Sequence, residues 1–532
     1  MIAASRFCFL HFVLSVSTCL AVLDYYQVGK KYSLPSTDGS VYAGISRDSS
    51  VILYTDYAHD IAYIFEQSAS GNPPWVVKQS IRPNDGVKHS NFGYSFDFSD
   101  DSSMIALGGT TDDDYIGAVW VFRRTSSSYV QMQPKLIAND YSGKRIQLGW
   151  SIACDGTCNT IVVGGPEDDD YVGATWVFIK LANGSYVQDG AKLVGMNYVG
   201  AAEQGQSVAV NYDGTFLLTT GSFDNQNIGA LWAFQKLSGS SKWVQQGEKI
   251  VPQNPVKNQQ FGYSLSMNAY GNLAAIGGPT AGSSSVWIYE KNLINFTWSE
   301  KTKLVPYDWE SYNDDYFGSA LALARSGNVV AVGGLRADNY TGAVWIFAFN
   351  GSSWTQCCKL QANDASSQSE QGSWVSVNAY GTNLVITAQD NNRMNGAFWE
   401  YSNIPTLHPS RPPTTTKPSV TPSKSPQTPY PTSSPTIPKM CQLGRKSLTA
   451  KQCANRIQNC NHYGIILKWN NVPCLVPGRK KKNKNSSGCQ CDQYCGYTCN
   501  QACTQDEQCF WQNGECYNRK FNVSGNSLHN LC

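Results

Sequence analysis

The chain has 532 residues, enough for three or four average domains, and 41 basic against 39 acidic side chains give a formal charge of only +2. Charged residues make up 15% and aromatics 12%, with 46 Gly, 29 Tyr and 15 Trp. That mix argues against coiled coils, helical repeats and whole-chain disorder, and suits short strands joined by glycine turns; the near-neutral total gives no general case for nucleic-acid binding.

In chain order, residues 1–21 read as a signal peptide. Arg6 precedes the apolar run Phe7–Val16, and Cys19-Leu20-Ala21 offers small residues at a cleavage site. A spanning helix would need about 20 apolar residues, and His11 with a run of Ser and Thr interrupts this one, so no transmembrane anchor is expected. Export agrees with cysteine use: outside the signal 16 Cys remain, 12 of them between Cys441 and Cys532. Six N-glycosylation sequons, at Asn183, Asn295, Asn339, Asn350, Asn485 and Asn522, fit the same compartment. The expected location is extracellular, secreted or at the cell surface. From Ser402 onward 16 Lys and Arg face four acids, which leaves 25 against 35 for the rest, an acidic body with a basic tail.

The body is a repeat. Gly117-Ala118-Val119-Trp120 recurs as Gly173-Ala174-Thr175-Trp176, Gly229-Ala230-Leu231-Trp232, Gly342-Ala343-Val344-Trp345 and Gly396-Ala397-Phe398-Trp399, with weaker copies ending at Tyr63 and Trp287. The aromatic stands at 63, 120, 176, 232, 287, 345 and 399, a spacing of 54 to 58 residues. Each unit opens on a pair such as Phe92-Gly93 or Leu148-Gly149 and continues with an alternating strand, a tight turn such as Asp155-Gly156 and a buried run such as Ile161–Gly165. A polar loop, the Gly-Ala-x-Trp strand and an outer strand complete it. Four short antiparallel strands per unit is the composition of a propeller blade.

Phe-Gly, then Gly-Gly-Pro (Gly164-Gly165-Pro166, Gly277-Gly278-Pro279), then Gly-Ala-x-Trp resembles the FG-GAP repeat of integrin α-chain propellers, over residues 24–402. The resemblance implies an all-β, seven-bladed propeller with ligand-contacting loops on one face, and it assigns the repeated Gly and Trp to blade packing. The last unit runs out at Ser402 after three strands. Tyr26–Lys31 resembles Tyr186–Lys192, so the N-terminus is expected to supply the missing outer strand and close the ring.

Residues 403–440, rich in Pro, Thr and Ser, read as an extended stalk carrying O-linked glycans. Residues 441–532 read as a small Cys-rich module, similar to no family we recognise, in which disulfides are favoured over a zinc cluster. Cys491, Cys495, Cys499 and Cys503 would line one face of a helix. Arg479–Lys484 is open to three readings: a solvated loop, an anionic-glycan contact or a processing site. Within the body, Cys154 and Cys158 flank a tight turn and are expected to pair; the partners of Cys357 and Cys358 stay open.

No catalytic constellation is visible. His59 and His89 stand beside no nucleophile motif, and no metal pair or phosphate loop occurs. The resemblance implies Ca2+, but the first-to-second-strand turns (Asp101-Ser102, Asp155–Thr157, Asp213–Thr215) are too short and carboxylate-poor for six or more oxygens. Acids gather instead in the loops between second and third strands: Asp112, Asp113, Asp114, Glu167, Asp168, Asp169, Asp170, Asp224, Asp338 and Asp390, against Arg336 and Arg393. Asp308, Glu310, Asp314 and Asp315 join them from the loops between units. Both sets emerge on one face, either as a solubilising rim or as a ligand surface. That surface could take a basic ligand loop, Ca2+ held at Asp168, Asp169 and Asp170, or the chain's own basic tail. The expectation is a secreted or surface-associated binding or adhesion protein recognising an extracellular protein or glycan. A self-associating component of a matrix or appendage is the alternative, and a glycan-acting enzyme comes third.

Overall fold

The computed structural model describes residues 23–403, except 35–39, 70, 127, 281–283, 309–314 and 391–394, together with three short strand pairs farther on. Blade one comprises Val41–Ile45, Val51–Asp56, Ile61–Gln67 and Trp75–Ile81; blade two Phe92–Phe98, Met104–Gly109, Ala118–Arg124 and Tyr129–Gln131. Ser151–Cys154, Thr160–Gly165, Ala174–Lys180 and Tyr186–Gln188 form blade three; Ser207–Val210, Phe216–Gly221, Ala230–Lys236 and Trp243–Gln245 form blade four. Blade five holds Ser264–Met267, Leu273–Gly278, Ser285–Lys291 and Trp298–Leu304; blade six Ala320–Leu323, Val329–Gly334, Ala343–Phe349 and Trp354–Leu360. Blade seven takes Gln371–Val377, Asn383–Ala388 and Ala397–Ser402 from the end of the body and Tyr26–Gln27 from its start. All pairings within a blade are antiparallel, and this is a seven-bladed β-propeller.

Closure happens where the repeat pattern places it. Tyr26 pairs with Ser402 and Gln27 with Tyr401, so the N-terminal strand fills the outer position of blade seven. It also repeats a clasp found in other blades. The Asp140 carboxylate accepts the Trp176 indole N–H at 2.8 Å, the Gln188 amide at 2.9 Å and the Lys192 backbone N–H at 2.7 Å. In blade seven Asp364 does the same for Trp399, Gln27 and Lys31, at 2.8, 3.0 and 3.0 Å. Burial alone would raise the Asp364 pKa, but the Lys31 amide, the indole and Gln27 outweigh it and hold this carboxyl below its usual range.

Seven apolar clusters fill the wedges between neighbouring blades, the last of them between blades seven and one. Trp120, Trp176, Trp232, Trp345 and Trp399 are wholly buried in these wedges, each a large apolar contribution that truncation to Ala would forfeit at about 3–5 kcal/mol. Glycine is required where backbones cross. A Cβ on Gly164 would run into the Gly205 carbonyl oxygen of the next blade, and Gly173, at φ +75°, sits in a parallel bridge to Gln204. Serines stitch the inner strands in the same sense: Ser95 donates to the Gly149 carbonyl at 2.6 Å, Ser151 to Gly205 at 2.8 Å and Ser264 to Gly318 at 2.7 Å.

The turns between first and second strands are also bonded blade to blade. Asp100 N–H donates to Gly156, Gly156 to Tyr212, Tyr212 to Ala269, Ala269 to Arg325, Ser326 to Ala379 and Ala379 to Arg47. Cys154 and Cys158 are joined by a disulfide across one of these turns, with Cα atoms 4.7 Å apart. Residues 411–532 form a separate unit. Its described parts are the hairpins Met440–Leu443 with Lys446–Thr449, Leu467–Trp469 with Val472–Cys474, and Cys509–Gln512 with Glu515–Asn518. The leader, the stalk, the basic stretch 479–484, Glu310, Asp314, Arg393, Asn485 and Asn522 lie outside the described residues.

Candidate functional site: the loop face and its axial cavity

The acidic face divides in two. Asp112–Tyr115, Asp168–Tyr171, Asp224–Asn227 and Ala337–Tyr340 are equivalent tight turns whose second and third residues are left-handed, as Asp113 at φ 50° and Asp114 at φ 61°. Asp and Asn tolerate that region better than other side chains, a conformational reason for the acid runs. Asp113, Asp114, Asp169, Asp170 and Asp338 are exposed.

Asp112, Asp168 and Asp224 depart from the expected ligand surface, because each is fully buried. The Asp168 Oδ1 accepts the Ser142 backbone N–H at 2.6 Å and its Oδ2 accepts the Lys192 ammonium; Asp112 does this with Val87 and Lys135, and Asp224 with Val199 and Lys249. They tie the loop after the second strand to the loop between blades, so both loop sets do share one face. Blade six has Ala337 at this position, and its Lys359 reaches the exposed Asp338 at 2.8 Å instead. Asp308 is likewise structural, accepting the Trp345 indole and Gln356 at 3.0 Å each.

Calcium at Asp168, Asp169 and Asp170 does not fit these contacts. A Ca2+ site needs six or more oxygens, whereas both Asp168 oxygens already serve an amide and an ammonium. Among the described residues no cluster of three or more His, Cys, Asp or Glu is placed to share a metal. In the short turns the Asp155 carboxylate is spent on the N–H groups of Thr157, Asn159 and Thr160 at 2.8–3.0 Å.

The loop face opens into a cavity of about 390 Å³ on the propeller axis, walled by the first strands of all seven blades. Tyr42, Tyr94, Trp150, Tyr263 and Trp374 line it, the rings following one another: Trp150 to Tyr94 at 5.0 Å, Tyr94 to Tyr42 at 6.1 Å, Tyr42 to Trp374 at 4.7 Å between centroids. Burial, then the neighbouring tyrosines, pushes the Tyr42 and Tyr94 phenols far above their usual pKa, so both keep their protons. The Gln206 and Gln389 side chains also line it.

Arginine closes the far end. Arg325, from blade six, donates to the Cys154 carbonyl of blade three at 3.3 Å and pairs with Asp100 of blade two at 3.1 Å, which takes its side chain across the axis. Arg47 grips Asp97 through both terminal guanidinium nitrogens at 2.9 and 3.0 Å. Asp97 in turn accepts the Cys154 N–H at 2.8 Å, coupling the disulfide turn to this floor. Burial lowers the Arg325 pKa to about 10, still charged at neutral pH.

At the rim, burial and then the Glu167 charge raise the Glu203 pKa to about 7. Glu167 itself accepts the Gln147 amide at 2.6 Å and pairs with Arg145 at 3.0 Å. Burial and then Asp390 raise Glu370, against the opposing Arg336.

Sequence reasoning missed the cavity aromatics. The residue after the Gly of each opening pair, Tyr94, Trp150, Gln206, Tyr263, Ser319 and Ser373, was available as a repeat position that varies from blade to blade. Of the described sequons, Asn183, Asn295 and Asn350 are exposed on turns between third and fourth strands, on the opposite face, while the exposed Asn339 lies on the loop face.

Fold and site together define a closed seven-bladed propeller with an axial cavity that carries aromatic residues towards its loop face and is crossed by Arg325 at the other end. No family model matches the chain, and no curated protein matches it. Solved structures similar to it include a candidate 6-phosphogluconolactonase from Bacteroides uniformis ATCC 8492, at 12% identity and TM-score 0.44, covering 61% of this chain and 84% of that one. Another is a protein of unknown function from Desulfotomaculum acetoxidans DSM 771, at 13% identity and TM-score 0.40, covering 61% and 86%.

Proposed function

We propose that this is a secreted or cell-surface binding protein of the FG-GAP, integrin α-chain-like kind, which takes an extracellular protein or glycan on its loop face. The observation that carries this is the axial cavity, lined by Tyr94, Trp150, Tyr263 and Trp374 towards that face and crossed by Arg325 at its other end. Glycans on Asn183, Asn295 and Asn350 would crowd the opposite face, against one, on Asn339, at the loop face. The exposed Asp113, Asp114, Asp169 and Asp170 would steer basic groups to the cavity mouth. The structural, self-associating reading is less well supported, because Lys78, Lys301, Lys303 and Lys359 on the outer strands discourage edge-to-edge pairing.

Glycan wedges test the choice of face. Val199→Thr completes a sequon at the exposed Asn197 on the loop face, and Gly239→Asn completes one with Ser241 on the opposite face. Binding of the full chain to extracellular matrix or cell surfaces should fall with the first wedge and persist with the second. The reverse pattern would overturn the proposal.

A further inference from the structure

We infer that the axial cavity is a carbohydrate site that receives the terminal one or two residues of a neutral glycan; this rests on the loop-face reading above. Its size comes first: about 390 Å³ falls in the roughly 300–1,000 Å³ range of small-molecule sites and is too small for a folded partner. Its shape comes second. With Arg325 crossing the axis, a chain can enter from the loop face but cannot thread through, so the site reads an end and not an internal stretch.

Its chemistry decides the class. A pyranose has an apolar C–H face and a rim of hydroxyls that donate and accept. Tyr94, Trp150 and Trp374 supply aromatic surface for the first. The Tyr94 and Tyr263 hydroxyls, the Trp150 and Trp374 indoles and the Gln206 and Gln389 amides suit the second. None of these groups has a hydrogen-bond partner among the described residues, and none is sealed from solvent. The wall serines of blades two, three and five, by contrast, are committed to carbonyls of the next blade.

Charge argues for neutrality. The charged side chains that line the cavity are Arg47, Asp97 and Arg325; each is held in an ion pair on the floor, although the Arg325 Nε is left without a hydrogen-bond partner. A phosphate, sulfate or carboxylate would have to compete with Asp97 and Asp100 for these arginines, and would have to pass the exposed acids at the mouth.

The test uses the full chain, saturation-transfer NMR and titration calorimetry. The probes are disaccharides and methyl glycosides of glucose, galactose, mannose and N-acetylglucosamine; a sulfated disaccharide and a lysine-rich peptide serve as comparisons. Tyr94→Ser with Trp150→Ser is the cavity variant, chosen because Ser stands at the same position in blades six and seven. At least one neutral probe should bind, and the cavity variant should lose about tenfold or more in affinity while still unfolding in one cooperative transition. If no neutral probe binds up to about 10 mM, or the cavity variant binds as well as the parent, the inference is wrong. Binding of the sulfated probe or the peptide alone would also overturn it. The glycan-wedge result stands independently, so loss of this inference is distinguishable from loss of the loop-face reading.

Discussion

Asp168→Ala probes the distinction between buried and exposed acids most directly. The substitution removes two contacts, to the Ser142 N–H at 2.6 Å and to the Lys192 ammonium. The orphaned N–H costs about 1–2 kcal/mol. An uncompensated buried ion can cost about 3–5 kcal/mol, but Lys192 retains 19% side-chain exposure and, as Lys359 does in blade six, can turn to the neighbouring acid. Against these losses, burial raises the Asp168 pKa despite Lys192 and Ser142, so removing the carboxylate also relieves a desolvation penalty. The net expectation is a loss of about 2–3 kcal/mol at pH 7. Adding Lys192→Met should restore most of it, since an apolar replacement of both partners leaves no buried charge. Urea unfolding of the four species of this double-mutant cycle is the assay. A single mutant within about 0.5 kcal/mol of the parent, or losses that simply add, would refute the argument.

Neutralising only the exposed acids, with Asp113, Asp114, Asp169 and Asp170 all changed to Asn, should leave the urea midpoint in place while weakening partner binding and flattening its salt dependence. Glu203 takes up its proton near pH 7 in the folded state but near 4.5 when unfolded, so the folded state holds the extra proton between those values and stability falls as pH rises through the window. Glu203→Gln should therefore gain on the order of 2 kcal/mol at pH 8 and little at pH 4.5, read from urea midpoints at the two pH values. Replacing Cys154 and Cys158 by Ser opens a five-residue loop and should cost about 2 kcal/mol, while peptide mapping of the parent should find the two linked. Gln27→Ala should cost about 1–2 kcal/mol through its bonds to Asp364 and the Asn363 N–H, and truncation through Lys31 should abolish a single cooperative unfolding transition by opening the ring.

Seven units, their strand plan and ring closure by the N-terminus were all legible in the chain. Each rests on patterns local to one repeat, or on the match of Tyr26–Lys31 to Tyr186–Lys192. The roles of the acids were not. Asp168 and Asp169 are adjacent and chemically identical, but one faces Lys192 and Ser142 while the other is held in the left-handed region at the surface. Only the packing of one loop against the next separates them. The cavity was beyond local reading for a related reason: its walls come from seven strands about 56 residues apart, and Trp150 becomes the neighbour of Tyr94, or Arg325 of Cys154, only when the ring closes. Sequence alone set the architecture, because blade formation depends on period-two burial and on glycines at fixed positions. Tertiary structure decided which groups remain available, because burial and partnering depend on residues far away along the chain.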